Sequence, residues 1–539
     1  MAAAACARWT GDPAAGLAML EGAVAEATGR DRALLCDRIG RFRRDIGDGL
    51  GALEAYEQVL SVPAEDLDLA TWAEVRAGYA ALLMTTFRLA QAEEQCEAAL
   101  AAAGPGPSAA RAYALNTLGV VRVLTGEPAR GLDLLEASRE IATAVGSQED
   151  FWRYVGNVTF VLLNLGRTGE SVDIAFTELD RARKAGVHRS AAVLPTLMNA
   201  VSGMVLLGRW AEALTLAGEA LEGVPTPGQA ASLHIAAAEI HTHRGHRPAA
   251  EAALAAARDG ALNAREPELL GHIWRIEAEL MAWAGDLTRA RHAVDEGLKV
   301  VPDDDPDSRL QLARIGLRVE ADAAISRSTS EPDRVSKLRE VAKAAAPGLA
   351  DLKGFRIDPG ATLVGTCEAE AARSSRRDTS QMWERIAAGW DEASWPYPAA
   401  YARLRQAQAW LRAGNRRAAV GPLNAAASTA STLGAAPLAE VIVLTARRRR
   451  LPLVLPGAAP QPRPPQPRVI TMFRLTAREV DVLALLVEDL SNEQIAAKLR
   501  ISERTITTHL TRIYRKLEVS GRAAAIQLTE QLQLLTADG

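Results

Sequence analysis

The chain has 539 residues, with 62 lysines and arginines against 66 aspartates and glutamates, a formal net charge of −4. That near balance excludes a polyelectrolyte that grips nucleic acid along its whole length, so any attraction to DNA must come from a local patch. Hydrophobic content of 48% with only 4% aromatic and 24% charged residues describes an alanine-rich helical protein, and the length calls for several domains or one long repeat array.

The opening MAAAACARWTGDPAAGL lacks a basic region followed by an apolar core, so no signal peptide is expected. No later stretch is long and apolar enough to span a bilayer. Cys6, Cys36, Cys96 and Cys367 are far apart and show no CxxC spacing. They fit reduced, buried thiols in a cytoplasmic protein, with a redox role for one of them left open.

A turn signal then recurs roughly every 40 residues, within the range of helix-pair repeats. It stands at Gly11-Asp-Pro, Gly47-Asp-Gly, Phe87-Arg88, Gly126-Glu-Pro, Gly166-Arg167, Gly208-Arg209, Gly245-His246 and Gly285-Asp286. After Gly285 the signals blur near Arg327 to Ala346 and Arg376 to Ala388, and the pattern returns at Leu411 to Asn415. Helix pairs of this kind cannot bury their apolar faces alone, so they are expected to stack into a superhelix whose concave side suits a peptide, a protein or a small ligand. The units resemble tetratricopeptide repeats, as in LLGRWAEALTLAGEALEG at Leu206 to Gly223, with a longer and less regular period. An irregular helical bundle is the alternative.

Two clusters interrupt the repeats. His234, His241, His243 and His246 straddle a helix end and a turn with no cysteine or acid at ligand spacing, which fits a polar inter-helix turn better than a metal site. Trp383, Trp390, Trp395, Tyr397 and Tyr401 group likewise; Trp383 and Trp390 share a helical face, which points to packing, with an aromatic ligand pocket as the alternative. No lysine in the chain follows a glycine, so the phosphate-binding G-x-x-x-x-G-K-[ST] loop is absent and no nucleotide hydrolysis, enzymatic activity or cofactor is expected.

The array is expected to end at 446. Arg447 to Arg450 and the run LPLVLPGAAPQPRPPQPR then form an Arg/Pro-rich linker at 447–469, a semi-rigid spacer. The arginine run fits a solvated helix end, with a phosphate contact as the alternative.

Residues 470–535 carry the densest signals. Thr476-Ala-Arg-Glu479 and Ser491-Asn-Glu-Gln494 are two capping boxes, each opening a helix. Val480, Leu483 and Val487 fall on one face of the first helix; Ile495, Ala496 and Leu499 follow in the second. Ser502 caps a third helix whose Ile506, Leu510, Ile513 and Leu517 repeat at helical spacing and must face inward. Arg504, Thr508, Thr511 and Arg515 then lie on the opposite face, flanked by Thr507 and Arg512. Hydroxyls and guanidiniums without an acid suit a major groove, and the first turn of the second helix, with Ser491 and Asn492, suits a phosphate. Arg500, Arg504, Arg512, Arg515, Lys516 and Arg522 make the local basic patch, so DNA affinity should fall with salt.

LTAREVDVLALL, LSNEQIAAKL, ISERTITTHLTRIYRKL and the final amphipathic helix resemble the LuxR-type helix-turn-helix over its whole length. The resemblance implies an all-α fold: TPR-like repeats followed by a small four-helix LuxR-type domain. It implies that the helix after Ser502 is the recognition helix, with Thr507, Thr508 and Thr511 at base-contact positions. Thr505, Arg512, Arg515 and Lys516 then fall where backbone contacts are expected, and Ala523 to Leu532 where the dimer contact is. Asp489 stands where a glycine is usual, Glu518 follows Leu517 where glycine is common, and Gly521 replaces a serine, which touches the loop geometry. The chain also resembles the C-terminal part of large ATP-binding LuxR regulators, as a shorter relative or a chain that begins inside a longer arrangement. Expected partners are double-stranded promoter DNA, RNA polymerase, a second copy on DNA and an effector at the repeat groove. A promoter-reading domain of a sigma factor shares some of these signals without a second polymerase-binding domain here, and a repeat scaffold whose end docks proteins is the reading from another class.

Overall fold

A computed structural model describes residues 13–60, 67–188, 190–223, 226–264, 267–303, 305–326, 331–351, 359–454, 473, 475–499 and 502–532. Among these residues the fold is all-α, with 26 helices and no strand. It divides into two compact units, Met1–Leu455 and Pro456–Gly539. No helix among the described residues is long and apolar enough to cross a membrane.

The first unit is a TPR-like row of antiparallel helix pairs. After a leading helix, Pro13–Val24, the pairs run from Gly29–Asp45 with Gly49–Leu60 to Pro396–Arg412 with Arg416–Leu433, and Ala436–Arg449 closes the row. Most of the expected turn signals fall between the two helices of a pair, where the chain must reverse within two or three residues. Gly47, Gly126, Gly166, Gly208, Gly245, Gly285 and Gly414 all have positive φ there, the left-handed conformation that ends a helix and that a side chain resists. Phe87 and Arg376 take the same role without being glycine, at φ 58° each. Gly11 lies outside the described residues, as do residues 327–330 between Pro306–Ser326 and Pro332–Asp351. The two blurred repeats are real pairs.

Alanine sets how closely these helices pack. Ala77, Ala80, Ala81, Ala99 and Ala114 are all buried where successive helices cross. Between Ala109–Leu124 and Pro128–Ala144 the approach is closer still, and a Cβ on Gly119 would stand 2.8 Å from the Gly131 carbonyl oxygen. The free cysteines Cys36, Cys96 and Cys367 are buried, and burial pushes the thiols of Cys96 and Cys367 up to about 12. Such thiols are poor nucleophiles. Cys6 lies outside the described residues.

The repeat unit runs past its expected end. The helix holding Arg447 and Arg448 continues to Arg449, and Arg450 caps it in the left-handed region. Leu451 and Leu453 pack on the core, while Asn424 donates to the Pro452 carbonyl at 3.3 Å and accepts from the Val454 amide at 2.7 Å. Residues 447–454 therefore belong to the array, and the remainder of the proline-rich stretch lies outside the described residues.

The second unit has its own core: Leu475, Val482, Leu483, Leu486, Ile495, Ala496, Ile506, Leu510, Ile513, Leu517 and Ala525. Its helices are Ala477–Val487, Asn492–Leu499, Glu503–Leu517 and Arg522–Gln531.

Candidate nucleic-acid interface

Both capping boxes form. The Thr476 hydroxyl accepts from the Glu479 amide at 3.3 Å and the Glu479 carboxylate accepts from the Thr476 amide at 2.8 Å. Ser491 and Gln494 repeat the exchange at 3.2 and 2.8 Å. Each box satisfies two backbone donors that a helix start leaves unpaired, and an N-cap of this kind contributes about 1 kcal/mol. Ser502 caps the third helix, accepting from the Thr505 amide at 3.2 Å. The first helix turns slightly from the expected face: Val482, Leu483 and Leu486 are its deep residues, with Val480 packed at the edge and Val487 half-buried.

The third helix divides sharply. Ile506 and Ile513 are fully covered, and Leu510 and Leu517 are buried beside them. Arg504, Thr505, Thr507, Thr508, Thr511, Arg512 and Arg515 are all exposed. Arg504, Arg512 and Arg515 form no ion pair among the described residues, which leaves their guanidiniums available to an anion. The threonines are less free than their exposure suggests. Thr507, Thr508 and Thr511 each donate to the carbonyl one turn back, at 3.1, 3.0 and 2.9 Å. With the proton spent inside the helix, each offers a methyl group and an acceptor lone pair outward, which matches a thymine methyl or an amino edge of adenine or cytosine. Thr505 is bound up in the cap, its hydroxyl 2.7 Å from that of Ser502.

Lys516 stands apart from the other cations. Its ammonium lies 2.6 Å from the carboxylate of Glu479, whose side chain is only 4% exposed. Burial raises the cost of that carboxylate's charge, but Lys516 and the Thr476 amide outweigh it and hold the Glu479 carboxyl below its usual range. Lys516 thus ties the third helix to the start of the first. Asn492 is half-buried in the first turn of the second helix. Arg522 reaches back to the Leu490 carbonyl at 2.6 Å, and Arg500 lies outside the described residues. On the last helix Ala525 and Thr529 face the core, while Ala523, Gln527, Glu530 and Gln531 are exposed.

Residues 474–529 match the family model described as bacterial regulatory proteins, luxR family. These residues are a LuxR-family helix-turn-helix domain. The LuxR domain follows a long all-helical repeat region and equips the chain as a DNA-binding transcription regulator. A solved structure of Rap protein complexed with competence and sporulation factor is similar to 72% of this chain and 100% of that chain, at 11% sequence identity and a TM-score of 0.43.

The three departures from the family pattern can be placed on this LuxR domain. Asp489 and Glu518 adopt positive φ, 59° and 55°, so the backbone keeps the glycine conformation without the glycine. Gly521 caps the last helix in extended backbone and has no side chain to accept a hydrogen bond.

The two clusters noted in the sequence resolve differently. Trp383 and Trp390 are buried, Trp383 donates to Asp378 at 2.8 Å, and both border a cleft in the repeats. His246 sits in the exposed inter-helix turn, but His243 is buried, stacked 3.8 Å from the Tyr397 ring and 3.6 Å from Glu279. Among the described residues no group of three or more histidines, cysteines or acids could hold a metal ion.

Proposed function

We propose that the protein is a cytoplasmic, non-enzymatic transcription regulator whose LuxR domain binds promoter DNA as a dimer, under the control of a ligand or protein partner held by the helical repeats. The observation that carries this reading is the third helix of the LuxR domain, with its aliphatic side closed off and three unpaired arginines and three threonines turned outward. Arg504, Arg512 and Arg515 contact the duplex, Thr507, Thr508 and Thr511 read base edges through methyl and acceptor groups, and Asn492 with its helix start meets a phosphate. Lys516 and Thr505 position the helix rather than touch DNA. The exposed side of Arg522–Gln531 supplies the contact between two copies. Effector binding at the repeats sets self-association and so the spacing of two recognition helices, and the DNA-bound dimer engages RNA polymerase.

The test is selection of duplexes from a random pool by the full-length protein, followed by sequencing. The reading predicts enrichment of paired half-sites centred about 10 base pairs apart or a multiple of it. An unenriched pool would favour a repeat scaffold whose terminal domain docks proteins.

A further inference from the structure

Within the repeat unit, a cleft of about 380 Å³ opens among residues from Ser202 to Ala402. Its walls come mainly from the first helices of successive pairs, Leu194–Leu206, Pro227–Arg244, Pro267–Ala284, Pro306–Ser326 and Pro396–Arg412. The size is that of a small-molecule site. We infer that this cleft binds a planar aromatic carboxylate of roughly indole to naphthalene size, its rings against Trp390, Trp395 and Tyr397 and its carboxylate on Arg314.

The aromatic wall is preformed. Trp390 and Trp395 lie stacked at 5.3 Å with 16° between their planes, and Tyr397 is fixed by the His243 ring stacked on one of its faces at 3.8 Å, by Trp210 at 5.7 Å and by a 3.1 Å hydrogen bond from Trp283. Flat apolar faces held in place favour a flat ring, at little ordering cost.

The sign of the ligand follows from the charges. Glu239 is paired with Arg275 at 2.7 Å, and Glu279 with Arg318 at 3.2 Å and His243 at 3.6 Å. The lining carries three arginines and three acids, and two of the acids, Glu239 and Glu279, are thus already held by Arg275 and Arg318. Arg314 stands in the field of Glu279 but within ion-pair distance of no carboxylate among the described residues, and its Nε donates to the neutral amide of Gln311 at 3.3 Å. The rest of its fork matches a carboxylate in bidentate fashion. Behind this wall Arg318 is clamped between the Trp283 and Tyr401 rings, 4.0 and 5.0 Å from their centroids.

This inference deepens the sensor reading and rests on it for any effect on DNA, so binding is measured first without DNA. The full-length protein is titrated with 2-naphthoate, indole-3-acetate and their neutral amides, by calorimetry. Each acid should bind saturably and at least about tenfold tighter than its amide. Arg314→Gln should erase that preference while leaving the amides unchanged, Arg314→Lys should keep part of it, and Trp395→Leu should weaken acid and amide alike. No saturable binding of any probe, or an acid preference that survives Arg314→Gln, overturns the inference. Probes that bind as expected and leave duplex affinity unchanged uphold the cleft and overturn only its coupling to DNA.

Discussion

Arg512 and Lys516 stand one turn apart on the same helix in opposite surroundings. Arg512 is exposed and unpaired, so Arg512→Ala should leave stability within about 0.5 kcal/mol while weakening DNA binding. Lys516 neutralises a carboxylate that is almost wholly buried, so Lys516→Ala should cost about 1–3 kcal/mol of LuxR-domain stability. Amide hydrogen exchange on the full-length protein separates the two: unchanged protection for Arg512→Ala, general loss of protection across residues 475–532 for Lys516→Ala. The same pair makes the domain acid-sensitive. Because Glu479 titrates below its usual range when folded, its contribution is complete above about pH 4.5 and disappears as pH falls through the lowered value. Exchange protection that holds unchanged to pH 3 would contradict that pairing. The role of Lys516 was hidden in the sequence because its partner lies on another helix, whereas the unpaired face of Arg504, Thr508 and Arg515 was legible from periodicity alone.

At the scale of single elements, the helix ends of the LuxR domain are less than optimal. Glu518 closes the third helix in the left-handed region, where a side chain costs roughly 1–2 kcal/mol and glycine costs less. Glu518→Gly should therefore stabilise the domain by about 0.5–1 kcal/mol, after the entropy that glycine itself loses. Gly521→Ser has open space for its side chain and should add a few tenths of a kcal/mol through a restored cap. Thermal unfolding of the full-length variants checks both; a lowered LuxR-domain transition in either would contradict the backbone argument. Caps and turns were the most readable features of the chain because each is a short-range event. Thr476 and Ser491 announce their helices by a partner three residues on, and the turn glycines announce hairpins by their spacing. Phe87 marked its turn without glycine, by its position in the period.

For the whole molecule, the LuxR core draws on residues of the second unit alone, so the domain should fold without the repeats. A fragment of residues 470–535 should show a cooperative melt and bind the same sequence as the full chain, more weakly if the repeats govern pairing. An unfolded fragment would contradict the division into two units. The cleft shows where sequence reading stops. Its aromatic wall was foreshadowed by the run from Trp383 to Tyr401, but Arg275, Glu279, Arg314 and Arg318 carry no local signal. They meet only because stacked hairpins bring their first helices side by side.

The central claim, that the outward face of the third LuxR helix binds duplex DNA, is tested most directly by salt titration of the full-length protein on a selected duplex. The logarithm of affinity should fall linearly with the logarithm of salt concentration, and an Arg512→Ala/Arg515→Ala protein of unchanged stability should bind more weakly with a slope shallower by about 2. An unchanged affinity and slope in that double variant would contradict the account.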